Sequence, residues 1–270
     1  YEQYNSNAHR ANHTLADEAT TALEEARVNI ANFFGTSPNQ LIYTSGATEA
    51  INLVAFSWAR ANLSKDDIVV LTEMEHHADI VPWQQLSKEI GIEVRYVPID
   101  IETFKLDMEA FSIAIIDASL VCVVHTSNVL GVRNPVEEII QLSHSVGAKV
   151  LLDCAQSAPH EKINFDILGA DFIAISAHKM AGPTGIGCLL VKENIMEEMA
   201  PFMTGGSMIK TVTTKGSTFQ DGHALFETGT PRIAEAIGWG AAVEWLNQFD
   251  MADINSHVHN IASWTAKEMR

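Results

Sequence analysis

Cysteine is scarce in this 270-residue chain: Cys122, Cys154 and Cys188 each lie inside an apolar run, and none has a paired spacing. That argues against a disulfide framework and a zinc motif, and suits a reducing cytoplasm. Basic residues are few as well, 17 against 34 acidic ones, for a formal net charge of -17. Such a surface repels nucleic acid and anionic membranes, so any phosphate must be held locally. Long apolar runs are missing, because the most apolar region, Phe111 to Val132, is interrupted by Asp117, His125 and Asn128 and fails as a membrane span. No secretory signal is visible. Phosphate-loop and dinucleotide fingerprints are also lacking. No Gly-Lys-Ser/Thr follows Gly46, Gly238-Trp239-Gly240 sits in a helical pattern with no strand before it, and Gly182 to Gly187 leads into a strand. His76 and His77 lack the spacing of a zinc helix, so no metal is expected. The sequence opens on Tyr1 without an initiator methionine and ends on Met269-Arg270 within a helical pattern, so it is expected to be an excerpt of a longer chain.

What the sequence has is alternation. Leu15, Ala19, Leu23, Ala26, Ile30 and Phe33 recur at helical spacing over 14–34, and Gly35 stops the pattern. A short strand, Leu41 to Thr44, runs through Ser45-Gly46-Ala47-Thr48-Glu49 into a helix reaching about Asn62. Strands then follow at 68–71, 93–97, 120–125, 149–153 and 172–176, with helices at about 80–90 and 135–146. This order implies an α/β fold with a mostly parallel sheet. The run Gly187 to Val191 follows too closely for a crossover and is expected to be the one antiparallel strand. Residues 204–230 read as a long loop, with room for a hairpin, and 233–249 and 254–269 as two helices. A loop of that length in a compact protein is often functional.

In open α/β sheets ligands bind beyond the carboxyl ends of the strands. There the sequence places Gly46-Ala47-Thr48, Glu75-His76-His77, Ser127-Asn128, Asp153 with Gln156, and Ser176-His178-Lys179. Each has a plain structural reading beside a chemical one. Thr48 or Ser45 is a helix cap, or the turn at Gly46 offers backbone N–H groups to a phosphate. Asp153, at a buried strand end, needs a cationic partner, from an internal ion pair or from a ligand. His76 and His77 are structural histidines, or stack on a planar ligand and shuttle protons. Lys179, between an apolar strand and a Gly/Pro-rich turn, is a surface lysine or a nucleophilic amine. Asn128 and Gln156 could orient a ring hydroxyl. Taken together, a lysine nucleophile, a buried carboxylate, a phosphate-type helix start and a histidine match the needs of pyridoxal 5'-phosphate.

The same residues carry a family resemblance. Ser45-Gly46-Ala47-Thr48-Glu49-Ala50-Ile51-Asn52, Glu75-His76-His77-Ala78-Asp79-Ile80-Val81-Pro82-Trp83, Ser127-Asn128-Val129-Leu130-Gly131, Asp153-Cys154-Ala155-Gln156, Ser176-Ala177-His178-Lys179 and Phe226-Glu227-Thr228-Gly229-Thr230-Pro231 occur in one order across essentially the whole chain. In this the chain resembles the cysteine desulfurases of aminotransferase class V, in the branch of the sulfur-mobilisation desulfurases and selenocysteine lyases. The resemblance implies the large domain of a fold-type I pyridoxal-phosphate transferase: a mostly parallel seven-stranded sheet with one antiparallel strand, flanked by helices. Residues 1–249 would form that domain, and 250–270 a helix leading toward a small C-terminal domain that this sequence lacks. Lys179 would carry the cofactor as a Schiff base, Asp153 would pair with the ring nitrogen, and His76 would stack on the ring and move protons. Gln156 and Asn128 would attend the ring hydroxyl and the substrate. Ala47, Thr48, Ser176 and His178 would hold the phosphate, joined by Thr230 from the other subunit of a homodimer.

L-Cysteine would then become L-alanine, with its sulfur left as a persulfide for iron–sulfur cluster or other sulfur biosynthesis, in some cases through an acceptor protein. In the family, the sulfur-accepting cysteine and the arginine for the substrate carboxylate lie downstream of the last helix here. This chain is accordingly expected to do no more than bind cofactor. Ala181, where the family often has a bulkier residue, and Arg232, beside the dimer-contact loop, bear on substrate choice. The competing expectations are another class V enzyme, such as a selenocysteine lyase, an epimerase-like member or an aminotransferase, and a non-catalytic dimerisation scaffold.

Overall fold

The computed structural model describes residues 6–9 and 13–269; Tyr1 and Arg270, the ends noted above, lie outside the described residues. Helix α1 (Thr14–Phe33) begins at His13, whose ring accepts from the Ala16 N–H, and buries Leu23, Ala26 and Ile30 on the stripe that its periodicity defines. Strand β1 (Leu41–Thr44) leads through Gly46 into α2 (Ala47–Leu53), which continues through a π-helical segment, Val54–Ala59, to a last turn at Arg60–Asn62. Then follow β2 (Ile68–Thr72), α3 (Val81–Ile90), β3 (Glu93–Val97), α4 (Met108–Ala114), β4 (Ala118–Val124), α5 (Val136–Ser145), β5 (Lys149–Asp153), β6 (Phe172–Ser176) and β7 (Gly187–Val191). A hairpin of β8 (Ile209–Thr213) and β9 (Gly216–Phe219) precedes α6 (Ile233–Leu246) and α7 (Met251–Glu268).

The main sheet has seven strands in the order β1-β7-β6-β5-β4-β2-β3. Strand β7 runs antiparallel to both its neighbours, Leu41 facing Leu190 on one side and Phe172 facing Val191 on the other, while β2 to β6 pair in parallel. The seven strands and the single antiparallel one match the expectation from sequence. Residues of β2, β5, β6 and β7 are almost wholly buried, as strands covered by helices on both faces require. Side chains alternate between two core layers: Val70, Val121, Val150 and Ile173 face one, and Val69, Leu120, Leu151 and Phe172 the other. Gly240 lets α6 lie against α1, since a β-carbon there would stand 2.8 Å from that of Ala26.

The differences from expectation are local. Helix α4, started by Asp107 accepting from the Glu109 and Ala110 N–H groups, overlaps the start of the apolar region Phe111 to Val132, where the sequence reading places no helix. The long segment 204–230 does form a hairpin, with mostly exposed strands. No helix among the described residues is long and apolar enough to cross a membrane.

Candidate functional site

The parallel strands end on one edge of the sheet, and the candidate residues gather there. Asp153 is the last residue of β5 and 4% exposed. Its Oδ1 accepts from the Ala155 N–H at 2.9 Å. Burial pushes its pKa up; the Ala155 N–H and then the charges of Lys179 and His76 pull it back without cancelling the rise. Those two couplings place the lysine and the histidine, 26 residues after and 77 before, around one buried carboxyl.

Lys179 ends a 3₁₀ turn, Ala177–Lys179, that follows β6 directly. The turn is fixed beneath: the Met180 and Gly182 N–H groups both donate to the Ala177 carbonyl, and the Ala177 N–H donates to Ile186. A β-carbon on Gly182 would meet Ala177 and Trp239 at 2.9 Å, and Ala181 takes a left-handed φ of 60°. Lys179, in this tight loop, is half-buried, and its charge reaches Asp153. His76 is exposed, and its Nδ1 accepts from the Ala78 N–H at 3.1 Å, so a neutral ring carries its proton on Nε2.

The second half of the site lies at β1 and β6. Gly46 adopts φ 148°, and the Thr44 hydroxyl donates to its carbonyl. The Ala47 N–H, which opens α2, donates to Ser176 Oγ at 2.8 Å across 129 residues. Having accepted that bond, the Ser176 hydroxyl keeps its own hydrogen to donate. Gly187 makes the approach possible: a β-carbon there would stand 2.2 Å from the Ile175 carbonyl oxygen and 2.6 Å from Gly46 Cα. Glu49 holds the turn from above, accepting from the Ser45 N–H at 2.7 Å. Thr48 and His178 are exposed at this corner. A small anion at this corner would meet the Ser176 hydroxyl, whose oxygen the Ala47 N–H already holds in place.

Ser127 closes the turn after β4, its Oγ accepting from Val129 and Leu130, and presents Asn128 at the surface; Gln156 is half-buried in the turn after Asp153. Thr230 is exposed and stands apart from the Asp153 group: it lines a cavity of about 200 Å³ with Tyr43, Glu49 and Arg232. The larger cavity beside it, about 380 Å³ and lined by Arg27, His223 and Glu227, includes neither Lys179 nor Asp153.

Sequence reasoning misses two features. Arg27, on the buried face of α1, is 3% exposed and forms a paired bond with Glu227, Nη1 to Oε1 at 2.9 Å and Nη2 to Oε2 at 2.7 Å. Glu227 Oε1 also accepts from the Tyr43 N–H at 2.9 Å, so one carboxylate ties α1, β1 and the loop bearing Thr230. The signal was an arginine at a core position of the helical stripe. The other is the buried carboxyl pair Glu75 and Asp79 behind His76. The three thiols are sealed: burial raises the pKa of Cys122, Cys154 and Cys188, keeping each protonated and inert.

Comparison with known proteins gives the family. A cysteine desulfurase of Haloferax volcanii is 44% identical over 267 residues, covering 98% of this chain and 62% of that protein. A probable cysteine desulfurase of Halalkalibacterium halodurans is 46% identical over 266 residues, covering 98% of this chain and 65% of that protein. The chain therefore spans somewhat less than two thirds of these relatives. The apo structure of the cysteine desulfurase from Thermococcus onnurineus NA1 superposes with a TM-score of 0.94 at 35% identity, over 98% of this chain and 66% of that one. The model of the aminotransferase class-V family matches residues 1–270, the whole length over which the strand-end motifs are spread, and the chain belongs to that family.

Proposed function

We propose that the strand-end site holds pyridoxal 5'-phosphate and serves the desulfuration of L-cysteine to L-alanine. The observation that carries this reading is Asp153: a buried carboxyl whose desolvation outweighs the compensation from Lys179 and His76. A cationic ring nitrogen would complete that compensation, and a neutral ligand would not. The cofactor, when bound, would supply an electron sink for negative charge developing at the substrate α-carbon. Lys179 supplies the amine that anchors it and then, displaced by substrate, a base for the α-proton. His76, with Nε2 as its protonated nitrogen, is placed to hold or return a proton at the ring. The Ser176 hydroxyl, the helix start at Ala47 and Thr48, and His178 would receive the phosphate, and Asn128 and Gln156 the ring hydroxyl and the substrate.

Sulfur transfer needs a thiolate, and the sealed Cys122, Cys154 and Cys188 cannot provide it. The accepting thiol lies outside these 270 residues. A homodimer with Thr230 entering the partner's site is part of the same reading; its support is an exposed Thr230, on an anchored loop, away from the Asp153 group of its own chain. A reducing cytoplasm suits three unpaired thiols.

The test is direct. Incubation with pyridoxal phosphate should give a yellow chain, and borohydride should fix the cofactor on Lys179, as seen by peptide mass spectrometry; Lys179→Ala should lose both. A colourless chain, or an adduct elsewhere, refutes the cofactor assignment. With L-cysteine, the longer protein expected to contain these residues should accumulate alanine and persulfide, whereas this chain alone should stop at cofactor binding; a longer protein that binds the cofactor at Lys179 but yields no alanine refutes the substrate. The sealed thiols also favour testing a lyase that needs no protein thiol, which products from selenocysteine would reveal.

A further inference from the structure

Two carboxyl side chains enclosed beneath the His76 turn have no part in the chemistry above. Glu75 is 6% exposed and Asp79 wholly buried. Glu75 Oε1 accepts from the Thr72 hydroxyl at 2.6 Å, and Asp79 Oδ1 from the Trp83 indole N–H at 2.8 Å. The remaining oxygens, Glu75 Oε2 and Asp79 Oδ2, are buried without a hydrogen-bond partner, and the two carboxyls stand close enough to bond to each other once one of them carries a proton. Two ionised carboxylates cannot make that contact, since neither has a proton to give.

Hydrogen bonds from Thr72 and the Val124 N–H favour the Glu75 carboxylate, while the charged neighbours that act most on the pair are acidic. From β4 the pair meets the Cys122 thiol and the Val124 N–H, from β5 the acidic Asp153, from β2 Thr72, and from α3 Trp83. Glu49, the acidic residue of α2, is engaged with Ser45 and Arg232. His76 and His77 lie on the turn itself, and both are exposed.

We propose that Glu75 and Asp79 share one proton between Oε2 and Oδ2, and that this pair is the positioning element that fixes the turn carrying His76 against Asp153. The pair brackets the turn: within it the Asp79 N–H donates to the His76 carbonyl at 2.7 Å and the Ala78 N–H to the ring nitrogen. The shared proton also leaves one negative charge beside Asp153 in place of two, so that Asp153 can stay ionised. This rests on the assignment of His76 and Asp153 to the cofactor site, but the pair is tested without cofactor.

Infrared spectra of the cofactor-free full chain at neutral pH should show the carbonyl stretch of a protonated carboxyl. Asp79→Asn and Glu75→Gln, each replacing the shared proton by an amide N–H, should lose it. Absence of the band from the wild type, or its survival in both variants, overturns the shared proton. At one fixed neutral pH the His76 ring resonances of Asp79→Asn and of Glu75→Gln should be displaced from their wild-type positions, while those of the distant His257 stay in place. His76 resonances that coincide in all three chains overturn the positioning role. Borohydride labelling of Lys179 reports separately on the cofactor: failure there with the band intact sinks the cofactor assignment and leaves the shared proton confirmed.

Discussion

Glu227→Ala should be among the more damaging single changes away from Lys179. The Arg27 side chain is 3% exposed, and Glu227 takes two of its bonds. Without that carboxylate the guanidinium keeps the Leu41 carbonyl at 2.8 Å, the Tyr43 ring at 4.4 Å and the partly exposed Glu24 at 3.8 Å. Removing one partner of a buried pair costs about 3–5 kcal/mol. Because Glu24 remains nearby and Glu227 is itself 16% exposed, the lower end, about 3 kcal/mol, is expected. At about 2 °C per kcal/mol for a chain of this size, the thermal midpoint should fall by about 6 °C. Scanning calorimetry with a double-mutant cycle is the assay: Arg27→Leu combined with Glu227→Leu should recover most of the loss, because no unpaired charge is left behind. A Glu227→Ala midpoint within about 1 °C of the wild type, or a double variant showing the sum of both single losses, would refute the reasoning.

Three further outcomes follow from the same structure. Glu75, Asp79 and Asp153 have raised carboxyl pKa values in the fold, each chiefly through burial, so the folded state holds protons that the unfolded chain has released. Their contribution is fully present below the ordinary carboxylate range and is lost as pH rises toward the folded values; urea midpoints should decline over that interval, less steeply in Asp79→Asn, and equal slopes would contradict it. Iodoacetamide should leave Cys122, Cys154 and Cys188 unmodified in the native chain and label all three in urea, as mass spectrometry would show; native labelling would contradict their burial. Gly187→Ala should disrupt the Gly46 turn, since its methyl would stand 2.2 Å from a carbonyl oxygen, and should weaken cofactor retention at least tenfold in a dialysis assay; unchanged retention would remove that turn from the site.

Much of the architecture is legible in the sequence because its strands are short apolar runs separated by helical periodicity and closed by polar residues. Gly187 to Val191 could be read as antiparallel from the shortness of the connection alone. Asp153 and Lys179 could be singled out because polar groups at the ends of buried strands are unusual. Arg27 escaped because local pattern assigns a charged residue to solvent, and only the distant Glu227 makes its burial tolerable. Glu75 and Asp79 escaped for a related reason: their spacing says nothing about how β4 and α3 enclose them. Helix α4 was hidden because Phe111 sits in the same apolar stretch as β4, and the cap at Asp107 precedes it.

The position of β7 also has a consequence for how the molecule is made. Strand β1 pairs with no strand of the sheet except β7, which is synthesised about 140 residues later, and the Ala47 to Ser176 bond spans 129 residues. A ribosome-bound chain ending before Gly187 can assemble β2 to β6 but has no partner to offer Leu41 to Thr44. The corner where Gly46 and Ala47 meet Ser176 is therefore among the last parts to form, closed by a non-local pairing that slows folding. Until then an unpaired apolar strand is left for chaperones to shield.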